Sequence, residues 1–182
     1  MTVQFEVTEA DIRAALHRTG RVPEGDPDGV GDIIVGIIKG DVTLRDVQGL
    51  TDDQLEAVYA TAFNHFKVGR AEKAEQLMNF LCLFEPRRAK YWTGLGAVRM
   101  SRENYDGAIY AYGIAAKTDI NAPRPPFRIA EAFMAKGNKD GAREALELAI
   151  ENAGDDEKFS DIRERAQALL ALLNEEPGAA AS

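Results

Sequence analysis

Three alanines, Ala74, Ala108 and Ala142, follow one another at intervals of 34 residues. Each is followed by a larger or apolar residue at +4 and +7: Met78 and Leu81, Tyr112 and Ala115, Leu146 and Ala149. That spacing places each trio on one face of a helix. Twelve residues before each alanine stands another small residue, Ala62, Gly96 or Ala130, where a second helix can approach closely. Gly69 and Gly137 fall between the helices of the first and third units, where a left-handed residue often ends a helix. The middle unit has Glu103 at that place, with Asn104 beside it as a substitute. A helical hairpin of this length buries its apolar face only by stacking on its neighbours. The chain is therefore expected to be all-α.

A helix-turn-helix period of 34 residues is that of the tetratricopeptide repeat, which the residues resemble closely. The middle unit is the clearest, with Trp92, Leu95-Gly96, Tyr105, Ala108, Tyr112 and Ala115 on the motif's places. The repeats are set at 55–88, 89–122 and 123–156. Pro86 closes the first where the motif has proline, while Ile120 and Gly154 stand there in the others.

The flanks complete an expected architecture of three tandem repeats with an N-terminal helix and a C-terminal capping helix. Residues 1–31 read as a flexible segment with a short helix from Thr8 to Arg18, and Gly20, Pro23, Gly25, Pro27, Gly29 and Gly31 mark a linker. Residues 32–54 form a lead-in: an apolar helix over Asp32–Lys39 stopped by Gly40, one further turn at Thr43–Val47, then a capping box of Thr51 and Gln54. Residues 157–174 give a capping helix with Phe159, Ile162, Ala166, Leu169, Leu170 and Leu173 as its stripe, and 175–182 a frayed tail.

Charge narrows the functional classes. The chain carries 22 Lys+Arg against 30 Asp+Glu, a net charge of −8. That balance argues against nucleic acid, which needs a basic footprint, and against an anionic membrane surface. The longest apolar run, Ile33–Ile38, is far shorter than the ~20 residues of a membrane span, and no basic, apolar leader opens the chain. Residues 1–32 hold seven acids and three bases, residues 151–182 eight and three, and residues 33–150 fifteen and sixteen. The repeat region is thus nearly neutral. Cys82 is the single cysteine, so no intrachain disulfide or multi-thiolate metal site is available, and a reducing compartment is expected.

At about 100° per residue, Val58, Thr61, Ala62 and His65 share the face of the first repeat helix that packs on its partner, while Tyr59, Phe63 and Phe66 centre roughly 105° away. In a tetratricopeptide stack that second face lines the concave groove. Two readings fit three aromatics there: core beneath the helix at Ile33–Ile38, or a groove that grips a peptide. The groove would be completed by Phe84 and Tyr112 from second helices, Met100 from the second unit, and Phe127 with Met134 from the third. Aromatic and methionine side chains suit such work, giving large area and adaptability.

Nothing reads as catalysis, and no metal or cofactor is expected. Gly94-x-Gly96 lacks the strand and third glycine of a dinucleotide loop. His17 and His65 have no metal-site spacing, and His65 reads as a packed, hydrogen-bonded core histidine. Ser101, Ser160 and Ser182 lie in no nucleophile motif, and Cys82 reads as a small core residue. Arg87, Arg88 and Lys90 read as solvated charge at an inter-repeat turn.

Several stretches together resemble one family, the class II chaperones of bacterial type III secretion that serve the pore-forming translocators. They are Leu44–Tyr59, Ala62-Phe63-Asn64, Gly69–Ala74, Phe80–Pro86 with its Leu-Cys-x-Leu segment, Leu95–Arg99, Tyr105–Ile109, and Pro123-Arg-Pro-Pro-Phe127 with Ala130-Glu131. The likeness covers about residues 32–155. It implies a cytoplasmic, ATP-independent chaperone, not an enzyme, that holds hydrophobic translocator proteins before export. Its concave groove would take a short extended client segment, with apolar and proline anchors in separate pockets. Groove aromatics at the positions of Tyr59, Phe63, Phe66 and Tyr112 are associated with that binding, and Phe84 falls where a groove-lining aliphatic residue is usual. The family also implies a homodimer through the N-terminal helix, here through Ile33, Ile34, Ile37 and Ile38. Some members assist an AraC-type transcription regulator, a partner about which this sequence is silent. The alternative is a generic repeat adaptor for another peptide. A carboxylate-clamp adaptor is disfavoured, because Tyr59 and Phe63 stand where such a clamp needs Lys and Asn.

Overall fold

Threonine hydroxyls start two consecutive helices. In the computed structural model, which describes residues 36–37 and 39–175, Thr43 caps α1 (Leu44–Gln48) in a reciprocal box with Asp46. Thr51 does the same for α2 (Asp52–Lys67): its hydroxyl accepts from the Gln54 amide at 3.2 Å, and Gln54 Oε1 accepts from the Thr51 amide at 2.9 Å. These boxes satisfy amides that a helix start leaves orphaned. Then follow α3 (Ala71–Phe84), α4 (Ala89–Ser101), α5 (Tyr105–Thr118), α6 (Arg124–Ala135), α7 (Lys139–Ala153), a 3₁₀ turn at Glu157–Phe159, and α8 (Ser160–Glu175). The described chain is all-α, of the tetratricopeptide type.

The helices pack as hairpins: α2 on α3, α4 on α5, α6 on α7, with α8 closing against α7. The small residues lie at the hairpin crossings, and Ala62, Ala74, Ala108, Ala130 and Ala142 are wholly buried. At Gly96 an added Cβ would sit 2.4 Å from Tyr112 Cε1, so the glycine is required by the ring beneath it. Two apolar clusters result. One gathers Leu55, Met78, Leu81, Tyr91 and Leu95. The other gathers Phe127, Leu146, Ile162 and Ala166, with Phe159, Leu169, Leu170 and Leu173 of the last helical segment packed against it. Arg143 ties α7 to the end of α8, donating to Leu173 O at 2.8 Å and Asn174 Oδ1 at 3.1 Å.

The turns depart from expectation in one respect. Gly69 and Gly137 adopt φ of 74° and 76°, and Glu103 itself takes the left-handed conformation at 59°. Asn104, expected as the substitute, instead caps α5 by accepting from the Gly107 amide at 3.0 Å, as Asn138 caps α7 from Gly141. Capping is the stronger use of an asparagine there, because it satisfies a helix-start amide. Thr61 is exposed, so the packing face of α2 is narrower than angular arithmetic suggests.

Of the N-terminal helix, Gly36, Ile37 and Lys39 are helical, and Gly40 follows at φ 77°. The helix over Thr8–Arg18, the linker, and Ile33 and Ile34 lie outside the described residues, as do the Ile38 side chain and the tail beyond Glu175.

Two glycines provide the packing test. Gly96→Ala forces a methyl into the buried Tyr112 ring and should lower stability by about 2 kcal/mol in urea unfolding. Gly113→Ala on α5, where an added Cβ meets nothing within 4 Å, should raise it by roughly 0.5–1 kcal/mol through helix propensity.

Candidate functional site

The first helices of the hairpins stand side by side, α2 touching α4, and α4 and α6 forming the walls of a cleft. On α2 the three aromatics differ in burial. Tyr59 is half-buried, its ring 5.7 Å from that of Tyr91 and tilted by 39°. Lys90 Nζ lies over both rings, at 5.0 and 5.3 Å, and pairs with Glu56. Burial, then the Glu56 charge, raises the Tyr59 phenol above its usual range. Phe63 is 42% exposed, with Lys67 Nζ 4.6 Å above its ring. Phe66 is half-buried against the first core cluster. The alternatives posed by the sequence are thus divided along one helix: Phe66 packs inward and Phe63 faces solvent.

The cleft between α4 and α6 has a volume of about 460 Å³. Thr93, Ala97, Met100 and Ser101 line it from α4, Tyr112 from α5, and Arg128 with Glu131 from α6. Met100 and Tyr112 are therefore brought together. Tyr112 is only 2% exposed, held by its contact with Gly96. Burial pushes its phenol up to about 12, with Arg128 acting in the opposite sense and Glu131 in the same one. The cleft's floor is an aromatic ring that stays protonated at any physiological pH.

Three expected lining residues lie outside this cleft. Phe127 is 3% exposed and belongs to the core among Ala130, Leu146, Ile162 and Ala166, with the Arg165 guanidinium 5.0 Å from its ring. The proline-rich start of α6 and the covering helix α8 turn this side chain inward, so it is corrected from groove to core. Phe84 is half-buried on α3, stacked on Phe80 at 4.2 Å, outside the residues that line the cleft. Met134 is half-buried on α6 and is also outside that lining.

The basic cluster at the inter-repeat turn is exposed, Arg87 at 51% and Lys90 at 42%, and it is also paired. Arg87 contacts Glu85 at 3.1 Å and Asp46 at 3.7 Å, and Arg88 pairs with Asp52 and Glu56. Arg45 bridges Asp52 at 2.9 Å and Glu85 at 3.3 Å. The Glu85 side chain is only 4% exposed, so this network fastens α1 and the α3–α4 turn together around a buried carboxylate. Four of these pairs join residues more than thirty positions apart, which hides them in the sequence. Arg128 and Glu131 were also missed as lining, although their i,i+3 spacing on a helix was a readable signal.

Among the described residues no cluster of three His, Cys, Asp or Glu could hold a metal ion, and no helix is long and apolar enough to cross a membrane. His65 is half-buried, and its side chain makes no hydrogen bond to described residues. Burial pushes the Cys82 thiol up to about 12 against the opposing Arg99 charge, leaving an unreactive thiol.

No family model matches the chain. It is 34% identical over 136 residues to the low calcium response locus protein H of Yersinia pestis, covering 75% of this chain and 81% of that protein. Among solved structures it is similar to the type III secretion translocator chaperone SycD of Yersinia enterocolitica, with a TM-score of 0.68, 32% identity, and coverage of 72% and 98%. It is also similar to PcrH, from Pseudomonas aeruginosa, solved in complex with the chaperone binding region of PopD, with a TM-score of 0.66, 35% identity, and coverage of 70% and 96%.

The buried phenol of Tyr112 gives a pH test. Its ionised form is favoured in the unfolded chain, where the phenol has its ordinary value near 10. Its contribution is therefore intact below pH ~10 and lost as pH rises to about 12. Over that interval the wild type should lose on the order of 2 kcal/mol more stability than Tyr112→Phe in parallel urea titrations.

Proposed function

From the premise that the chain belongs to the translocator chaperones of type III secretion, we propose that its concave face holds a hydrophobic translocator protein before export. The observation that carries this reading is Phe63, a large apolar ring 42% exposed in the middle of a structured helix. Tyr59 one turn before it and the Met100–Tyr112 cleft on the neighbouring hairpin extend the apolar surface. PcrH has been solved with the chaperone binding regions of PopD and of PopB, and SycD with a peptide of YopD. A client segment of the same kind is the occupant that this face fits.

The mechanism is a competition between surfaces. Membrane-active segments left free in water aggregate or insert. Laying one extended segment along the first helices buries its apolar side chains and withholds it from other partners. A few anchors in pockets supply the affinity, since total buried area predicts it poorly. None of this requires nucleotide, metal or a catalytic group, and the site of action is the bacterial cytoplasm.

Co-purification with a candidate translocator, followed by protease mapping of the protected segment, tests the reading. Phe63→Glu should abolish that binding while helical content and melting temperature stay within about two degrees of wild type. If the variant unfolds, the α2 aromatics are core and the groove reading fails.

We also place a homodimer contact at Ile33, Ile34, Ile37 and Ile38. Its support is Ile37, 40% exposed at the end of that run. Ile34→Glu combined with Ile38→Glu should halve the mass by light scattering without loss of client binding; an unchanged mass rejects this face.

A further inference from the structure

The α6 wall of the cleft carries Arg128 and Glu131, in a lining otherwise apolar or already hydrogen-bonded, and Arg165 of α8 lies outside that lining on the far side of Glu131. Arg128 Nη1 donates to Glu131 Oε2 at 2.6 Å, and Arg165 Nη2 of α8 lies 3.8 Å from Glu131 Oε1. Two guanidiniums thus face one carboxylate. Glu131 is the more shielded member, its side chain 25% exposed against 50% for Arg128. The other hydroxyls of the wall are engaged within α4, Thr93 donating to Ala89 O and Ser101 to Val98 O, each at 2.8–2.9 Å. Arg128 donates to Glu131 from one nitrogen, and no other bond of its guanidinium to described residues is present. A guanidinium offers five N–H groups, so most of this fork remains open.

We infer that this wall selects an acidic side chain in the bound segment, whose carboxylate takes the open N–H groups of Arg128 while its methylenes lie against Met100, Ala97 and the Tyr112 ring. The inference rests on the translocator-binding reading above and adds a charge requirement to it. The physical ground is asymmetry of cost. An aliphatic residue seated here would strip water from a half-exposed Arg128 and return nothing, and a lysine would add a third positive charge around Glu131. Aspartate or glutamate completes a two-to-two arrangement, with Arg165 contributing field and not contact. The rest of the face stays apolar, so the charge sets position along the segment and the apolar anchors supply most of the affinity.

The competing occupant is the chain's own flank, since residues 1–32 carry seven acids against three bases. Apolar content separates the two: Met100 lines the cleft together with Arg128, and the acid-rich stretch Glu24–Asp28 has only Pro27 as an apolar residue.

The test uses the full-length protein and a synthetic peptide of the protease-protected client segment, titrated calorimetrically with Glu, Gln or Lys placed at each position in turn. At one position Glu should bind about tenfold tighter than Gln, and Lys more weakly still. In Arg128→Gln, with unchanged helical content, that preference should fall to within twofold while the apolar positions keep their effects. Arg165→Gln should reduce it by a smaller factor. No preference for Glu at any position, or a preference that survives Arg128→Gln, overturns the inference and leaves the translocator reading standing. Failure of every peptide to bind overturns both. Glu24→Gln with Asp26→Asn and Asp28→Asn tightening peptide binding only when Arg128 is present would assign the guanidinium to the chain's own flank. A mass that changes with Arg128→Gln would assign it to a contact between copies. Either result also overturns it.

Discussion

The close approach of two helices at a side chain no larger than a methyl is the constraint on which this structure depends. In each hairpin the crossing is made by a pair of small residues, Ala62 with Ala74, Gly96 with Ala108, Ala130 with Ala142, all of them buried. A bulkier side chain at any of them separates the helices, and the apolar layer on either side loses its dispersion contacts. Gly96 is the extreme case, because the Tyr112 ring occupies the space a Cβ would need. That one contact fixes the α4–α5 distance and holds an aromatic floor beneath the cleft. Core packing and site geometry are the same interaction there.

Because the hairpin cores are closed on one side of the first helices, whatever lies on their other side is left to a partner. On α2 that side is aromatic, and its exposed surface is tempered by charge. Lys67 lies over Phe63, and Lys90 over Tyr59 and Tyr91. An ammonium over a ring face gains a modest attraction in water while its alkyl stem covers apolar surface. A lysine held this way keeps the face wet when empty and can swing aside on its flexible stem when a segment arrives. Net acidity in the flanks, with a nearly neutral middle, adds mutual repulsion between copies without placing charge on the apolar face.

Most of the architecture was legible in the sequence because it is periodic. The recurrence of small residues at fixed intervals specifies hairpins, stacking and the covering role of Ile162, Ala166 and their neighbours, all of which follow from helix geometry alone. The site was legible in part, because a face of one helix can be assigned by angle. That angle separates Tyr59, Phe63 and Phe66 from the packing face, and of the three Phe63 is exposed while Phe66 packs inward. What failed were positions whose surroundings come from a different element. Phe127 has a groove-like register on its own helix, and is buried because α8 passes over it with Ile162, Ala166 and Arg165. The pairings of Arg87 with Asp46, of Arg88 with Asp52 and Glu56, and of Arg45 with Glu85 are invisible for the same reason, since each joins residues of different elements. Glu103 shows a third kind of miss: the left-handed turn is fixed by the fold, and the residue present bears the strain.

The two ends of the repeat stack are closed by different physics. At the C-terminal end α8 buries an apolar stripe, the ordinary device for covering an open repeat face. At the N-terminal end α1 has five residues and only Val47 buried, too little apolar area to hold itself in place. There a charged network does the fastening, with Glu85 buried and Arg45 reaching both it and Asp52. Such contacts are strongly directional, and removal of one member leaves an uncompensated buried charge. They therefore fix where α1 sits more sharply than they stabilise it. The segment that precedes α1, from Gly36 to Thr43, inherits that placement, since Val42 packs against Gly36 and the Asp41 and Val42 amides donate to its carbonyl. An apolar end cap would tolerate sliding by a turn, whereas an ionic one has a single register, and the position of Ile37 relative to the first hairpin is set by that register.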